Sequence, residues 1–94
     1  MAVTTQEIKN LYEHTFLTFD KNIKIPNITI EFYPYTNVNS RIKSQNGKVF
    51  VRIAELLQEA PMEIHQALSI ILIGKLLGKK IPSNARKIYQ NYLN

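Results

Sequence analysis

The sequence predicts a single α+β domain spanning residues 1–94. Its elements are an N-terminal helix, a small antiparallel sheet of two or three strands, a buried central helix and a C-terminal helix. Three observations carry this. Apolar residues recur at helical spacing from Ile8 to Phe19. Two stretches of strict alternation, Asn27–Pro34 and Lys48–Ile53, lie on either side of an Asn46-Gly47 pair. A proline-initiated segment then carries Ile70, Ile71, Leu72 and Ile73 in unbroken succession. The first pattern is an amphipathic helix, the second a pair of half-buried strands with a hairpin turn before the later one, and the third a helix buried on most sides.

Each element has a local cause. Thr4 or Thr5 can cap the first helix, and Thr4 with Glu7 forms the T-x-x-E capping box. Ile8, Leu11, Tyr12, Thr15, Phe16 and Phe19 make its apolar face, which fades near Asp20–Asn22. Pro26 forces an extended approach from Ile25. Ile28, Ile30 and Phe32 then alternate with Thr29, Glu31 and Tyr33, and Pro34 confines this strand to a sheet end or edge. Val38–Lys43 is a weaker strand. Asn46-Gly47 suits a type I′ turn, so the strands on either side pair antiparallel. In the second arm Val49, Val51 and Ile53 share one face and Phe50 and Arg52 the other. Ala54–Glu59 reads as a short helical turn. Pro61 opens the central helix, Glu63 favours its positive end, and Gly78 ends it near Lys79. Gly74, costly inside a helix by roughly 1 kcal/mol, points to close approach of another element. Ser83 caps a last helix carrying Ala85, Ile88, Tyr89, Tyr92 and Leu93, of which Tyr89, Tyr92 and Leu93 either cover the core or form an interface between copies.

Composition narrows the classes of function. The 94 residues are 45% hydrophobic and contain no Cys, so disulfides, thiolate metal sites and cysteine nucleophiles are excluded. MAVTTQEIKN lacks the basic and apolar regions of a secretory signal, and Met1 reads as a natural start. Ala67–Leu77 falls short of the roughly 20 apolar residues a membrane-spanning helix needs, so the expectation is a soluble cytoplasmic protein with no membrane partner. Residues 1–74 hold seven basic and seven acidic side chains, which cancel. The whole formal charge of +5 sits in the last twenty residues, as Lys75, Lys79, Lys80, Arg86 and Lys87.

Catalytic constellations find little support. The two histidines, His14 and His65, lie on different helices, and a metal site wants about three converging ligands. His14 reads as helix surface or boundary, and His65 as partly exposed near the start of the central helix. Asp20 is the single aspartate, and no G-x-S-x-G elbow exists to build a hydrolytic triad with it. Glu55, Glu59 and Glu63 read as solvated helix-start charge rather than paired acid and base. Gly47, Gly74 and Gly78 never cluster into a phosphate loop. No catalytic residue, metal ligand or cofactor is therefore assigned. Two surfaces remain as candidates. One is the basic cluster of Lys75, Lys79, Lys80, Arg86 and Lys87. The other is a sheet-edge surface of Tyr33, Tyr35, Arg41 and Lys43, near which Phe32, Lys48 and Arg52 add further rings and charge.

Residues 39–82 resemble the core of the SprT-like zincin metallopeptidases, through the segment SRIKSQNGKVFVRIAELLQEAPMEIHQALSIILIGKLLGKKIP. In that family an N-terminal helix precedes a small sheet, and the last strand leads through a turn and a Pro/Glu-rich helix start into the active-site helix. Here the strand is Lys48–Ile53, the turn is Ala54–Ala60 and the helix opens with Pro61-Met62-Glu63. LYEHTFLTFDKNIKIP is similar to the family's entry of helix followed by strand. Zincins need H-E-x-x-H, two ligands one helical turn apart with Glu as general base. The best register puts Ile71, Leu72 and Lys75 at the first His, the Glu and the second His, and Ser69–Lys79 contains no His or Glu. Gly78 falls where some zincins keep a Gly after the motif. The resemblance thus implies a minimal zincin-like fold that is metal-free and not a protease. It implies a protein or peptide interaction module, with binding along a sheet edge as the expected mode. The alternative is nucleic-acid binding through the C-terminal basic cluster.

Overall fold

A computed structural model describes residues 3–94. Met1 and Ala2, and with Met1 the reading of a natural start, lie outside the described residues. The order is α1 (Thr5–Phe19), β1 (Asn27–Tyr33), β2 (Arg41–Gln45), β3 (Lys48–Ala54), a 3-10 turn (Glu55–Leu57), α2 (Met62–Leu77) and α3 (Ser83–Leu93). This is the expected α+β arrangement. The Thr4 capping box forms in both directions, with Glu7 N–H donating to Thr4 Oγ1 at 3.1 Å and Thr4 N–H to Glu7 Oε1 at 3.0 Å. Asn46 (φ 53°) and Gly47 (φ 76°) both take positive φ, as the type I′ turn requires. Gly78 closes α2 in the left-handed conformation. Ser83 is the first residue of α3 rather than its cap. Pro82 holds the cap position, and no side chain caps that helix.

The sheet is mixed, not wholly antiparallel. Its strand order is β1-β3-β2, with β3 antiparallel to β2 but parallel to β1. The reason lies in the apolar content of each strand. Val49, Val51, Ile53 and Ala54 of β3 are all buried, whereas β2 reads Arg-Ile-Lys-Ser-Gln and has one half-buried apolar residue, Ile42. The most apolar strand takes the centre and the most polar one an edge. The chain therefore leaves β1 at Pro34, crosses to the far edge as β2, and returns through the hairpin into the middle. β2 also starts later than expected. Val38–Ser40 is irregular, and Val38 packs against the core instead.

All three helices sit on one side of the sheet's layer. Tyr12, Phe16 and Ile8 of α1 meet Ile64, Leu68, Leu72 and Ile73 of α2 over Ile28, Val49, Val51 and Ile53. At Gly74 an added Cβ would lie 2.7 Å from Ile81 Cγ1 and 3.3 Å from Phe19 Cζ, so this glycine lets the α2–α3 connection and the end of α1 close over the helix. Thr15 and Ser69 meet between α1 and α2, their hydroxyls 2.8 Å apart. Tyr89 and Leu93 of α3 pack on the core, while Tyr92 stays exposed.

His65 departs from expectation. It is buried rather than partly exposed, with 1% of its surface accessible. Phe32 meets its ring edge-on at 6.3 Å. His65 lies on the inner side against Phe32 of β1, with Ile64 and Leu68 of the same helix also buried in the core. His14 is exposed, as predicted.

Candidate functional site

β2 is an edge strand with β3 on one side only. Among the described residues, no backbone group of Arg41–Gln45 bonds to anything other than β3. Its position is fixed at the entry, where Ala54 N–H donates to Ser40 Oγ at 3.1 Å. Asn39 N–H donating to Asn37 Oδ1 at 3.0 Å shapes the preceding turn. Further back, the Tyr89 hydroxyl of α3 donates to the Val38 carbonyl at 3.4 Å and ties this loop to the last helix.

Beside β2 runs a cleft of about 400 Å³, lined by Ser40, Arg41 and Ile42 on one side and by Leu72, Lys75 and Leu76 of α2 on the other. Two of the three positions matched to the zincin motif, Leu72 and Lys75, therefore face this cleft. The third, Ile71, is buried beside Ala67 and Ala85, with Tyr89 packed over it. Burial raises the Tyr89 phenol above its ordinary pKa, which leaves it a neutral donor to Val38. The cleft offers a divalent cation poor company, because Arg41 and Lys75 supply positive charge and Ser40 the one hydroxyl. Among the described residues, no group of three His, Asp or Glu converges anywhere, and no helix is long and apolar enough to cross a membrane. Sequence reasoning missed Ser40 and Leu76. Ser40 is a turn residue with no periodic signal, and Leu76 was hidden in a helix apolar on every side.

The predicted sheet-edge residues separate and then meet again. Tyr33 on β1 and Arg41 and Lys43 on β2 lie on opposite sides of β3, yet all three point to the face turned away from the helices. Tyr35, brought back by a tight turn at Pro34 in which Tyr35 N–H donates to Tyr33 O at 2.8 Å, stacks on Tyr33 at 4.6 Å and lies 6.0 Å from the Arg41 guanidinium. The five C-terminal cations are all exposed. Lys75, Lys79 and Lys80 surround the end of α2, where positive charge suits the helix dipole. Arg86 and Lys87 sit in the first half of α3, where it does not.

No family model, no curated protein and no solved structure matches the chain.

Proposed function

We propose that this protein is a non-catalytic, metal-free zincin-like domain that takes an extended peptide along the free edge of β2. The observation that supports this most is the coincidence of an unpaired strand edge with a cleft floored by Leu72 and Lys75, two of the positions at which a SprT-like zincin would hold its catalytic machinery. Strand addition supplies sequence-independent affinity through backbone hydrogen bonds, and the pockets beside the edge supply selectivity. Apolar Leu72 and Leu76 with cationic Arg41 and Lys75 favour a peptide alternating apolar and acidic side chains. Filling the motif positions with Ile and Leu removes buried polar groups that would otherwise need partners, and it lets α3 close over Ile71.

The test is a titration of isotope-labelled protein with an extended peptide of alternating Leu and Glu. Amide shifts should concentrate on Arg41–Gln45 and on Leu72–Leu76. Lys75→Glu should weaken binding roughly fivefold, the scale of one exposed ion pair. Absence of shifts at β2 rules out the reading. Stoichiometric zinc in purified protein, or cleavage of casein, overturns its non-catalytic part.

A further inference from the structure

The sheet's outer face has a composition that the overall charge arithmetic conceals. Thr29, Glu31 and Tyr33 of β1, Lys48, Phe50 and Arg52 of β3, and Arg41, Lys43 and Gln45 of β2 all point away from the helices. Among the described residues no element covers them, and all but Tyr33 and Lys48 line, together with Tyr35, a shallow concavity of about 550 Å³. The face carries four cations and one carboxylate. Glu31 is held by Arg52 at 3.4 Å. Among the described residues, Arg41, Lys43 and Lys48 have no carboxylate partner. Arg41 stands directly opposite Arg52 in the β2–β3 register. Like charges facing each other across strands are destabilising, and an anion lying over both relieves the repulsion.

Between the cations lie flat apolar surfaces. Phe50 on the central strand is 38% exposed and Tyr33 is 37% exposed. Tyr33 is held in place by Arg52, whose guanidinium sits 4.7 Å from its ring centroid, and by Tyr35 behind it. We infer that this face binds single-stranded nucleic acid, with phosphates over Arg41, Lys43 and Lys48 and bases stacked on Phe50 and on the Arg52 guanidinium that covers Tyr33. Stacking platforms interleaved with cations on an open sheet suit unpaired bases, whose planar faces match exposed rings. A duplex is disfavoured, because the major groove admits a helix or a two-stranded ribbon, and here three strands lie side by side over a layer of helices. An acidic peptide would meet the cations but would leave the rings without planar partners. This surface is separate from the β2 edge and cleft. Only Arg41 borders both.

The experiment is fluorescence anisotropy with a labelled oligothymidylate of about twelve nucleotides, a length within the range of single-strand sites. With three phosphate contacts, the slope of log affinity against log salt should be near −2, about a twentyfold loss between roughly 50 and 200 mM salt. Phe50→Thr should weaken binding at least about fivefold at both salts and leave the slope unchanged. Lys43→Glu with Lys48→Glu should flatten the slope by more than one unit. Amide shifts in the parent protein should fall on β3 and on Thr29–Tyr33, which keeps the test independent of how any variant folds. The inference is overturned if the parent does not bind, if a duplex or a polyglutamate peptide binds as tightly, or if the sheet variants stay within about twofold of the parent. It is equally overturned if the shifts and the loss follow Lys79→Glu with Lys87→Glu, which would move the site to the C-terminal cluster.

Discussion

Replacing His65 with Leu should flatten the pH dependence of stability below neutrality. The ring is buried, and among the described residues neither of its nitrogens has a hydrogen-bond partner. Burial lowers its pKa from the ordinary 6.5. The nearby Leu57 carbonyl opposes this weakly, without forming a hydrogen bond of good geometry. The unfolded chain therefore takes up a proton as pH falls through about 6.5, and the folded chain takes it up only lower. Stability is fully present above that window and declines as pH drops through it, with a ceiling of about 1.4 kcal/mol per pH unit for one proton. Carboxylates lower the curve further at more acidic pH, so the difference between parent and variant isolates the ring. Urea unfolding at intervals between pH 7.5 and 5.5 should show the parent losing more stability than His65→Leu across that range, by at most about 1.4 kcal/mol. At pH 7.5 the variant should match or exceed the parent, because two unpaired buried polar atoms disappear while side-chain volume is kept. Parallel curves for the two proteins would refute the reasoning, and so would a variant destabilised by more than about 2 kcal/mol at pH 7.5, since that is the signature of a lost partner.

Other substitutions test the packing around the same helix. Tyr12→Phe should leave the protein as stable or up to about 1 kcal/mol more stable, because the Tyr12 hydroxyl is buried without a partner. In the parent, burial, and then Tyr89, keep that phenol un-ionised well above the ordinary 10, so ultraviolet titration of native protein should leave at least Tyr12 uncounted until the fold is lost. Ser69→Ala and Thr15→Val should each cost less than about 1 kcal/mol by denaturant melts. Two hydroxyl protons serve three contacts, to Leu11 O, to Gln66 O and to each other, so either hydroxyl left alone keeps a carbonyl to donate to. Gly74→Ala should destabilise by about 1 kcal/mol despite better helix propensity, because its Cβ would collide with Ile81 Cγ1 at 2.7 Å; a gain in stability would show that Ile81 moves aside freely.

Local signals wrote most of the elements. The capping box at Thr4, the Asn46-Gly47 turn and the alternation in β1 and β3 each depend on neighbours within a few residues, and each formed as read. The partner of β1 was not legible that way. Whether β1 lies beside β2 or β3 depends on which strand buries more against α1 and α2, a comparison between segments that no single window contains. His65 was misread for a related reason. Its neighbours in α2 are apolar on nearly every side, so periodicity gave no direction in which to place a polar residue, and the contact that fixes it is Phe32 on β1.

The charge pattern carries the same lesson into function. Across residues 1–74 acids and bases cancel in number, and that neutrality drew attention to the C-terminal cations. In the fold the cancellation is spatial nonsense. Six of the seven acids, Glu7, Glu13, Asp20, Glu55, Glu59 and Glu63, belong to α1, α2 and the turns beside them, whereas Arg41, Lys43, Lys48 and Arg52 share one face of the sheet with Glu31 alone. The segregation follows from strand alternation: the inner positions of β1, β2 and β3 are committed to the core, so every charged residue they carry goes to the outer face. With Debye screening at about 8 Å in physiological salt, an approaching anion feels the cations of that face and little of the acids beyond the sheet. The C-terminal cations have a structural use at the end of α2. Arg41 faces Arg52 and, among the described residues, has the Tyr35 ring but no carboxylate beside it, and that makes the sheet, rather than the basic tail, the face to test first for a polyanionic ligand.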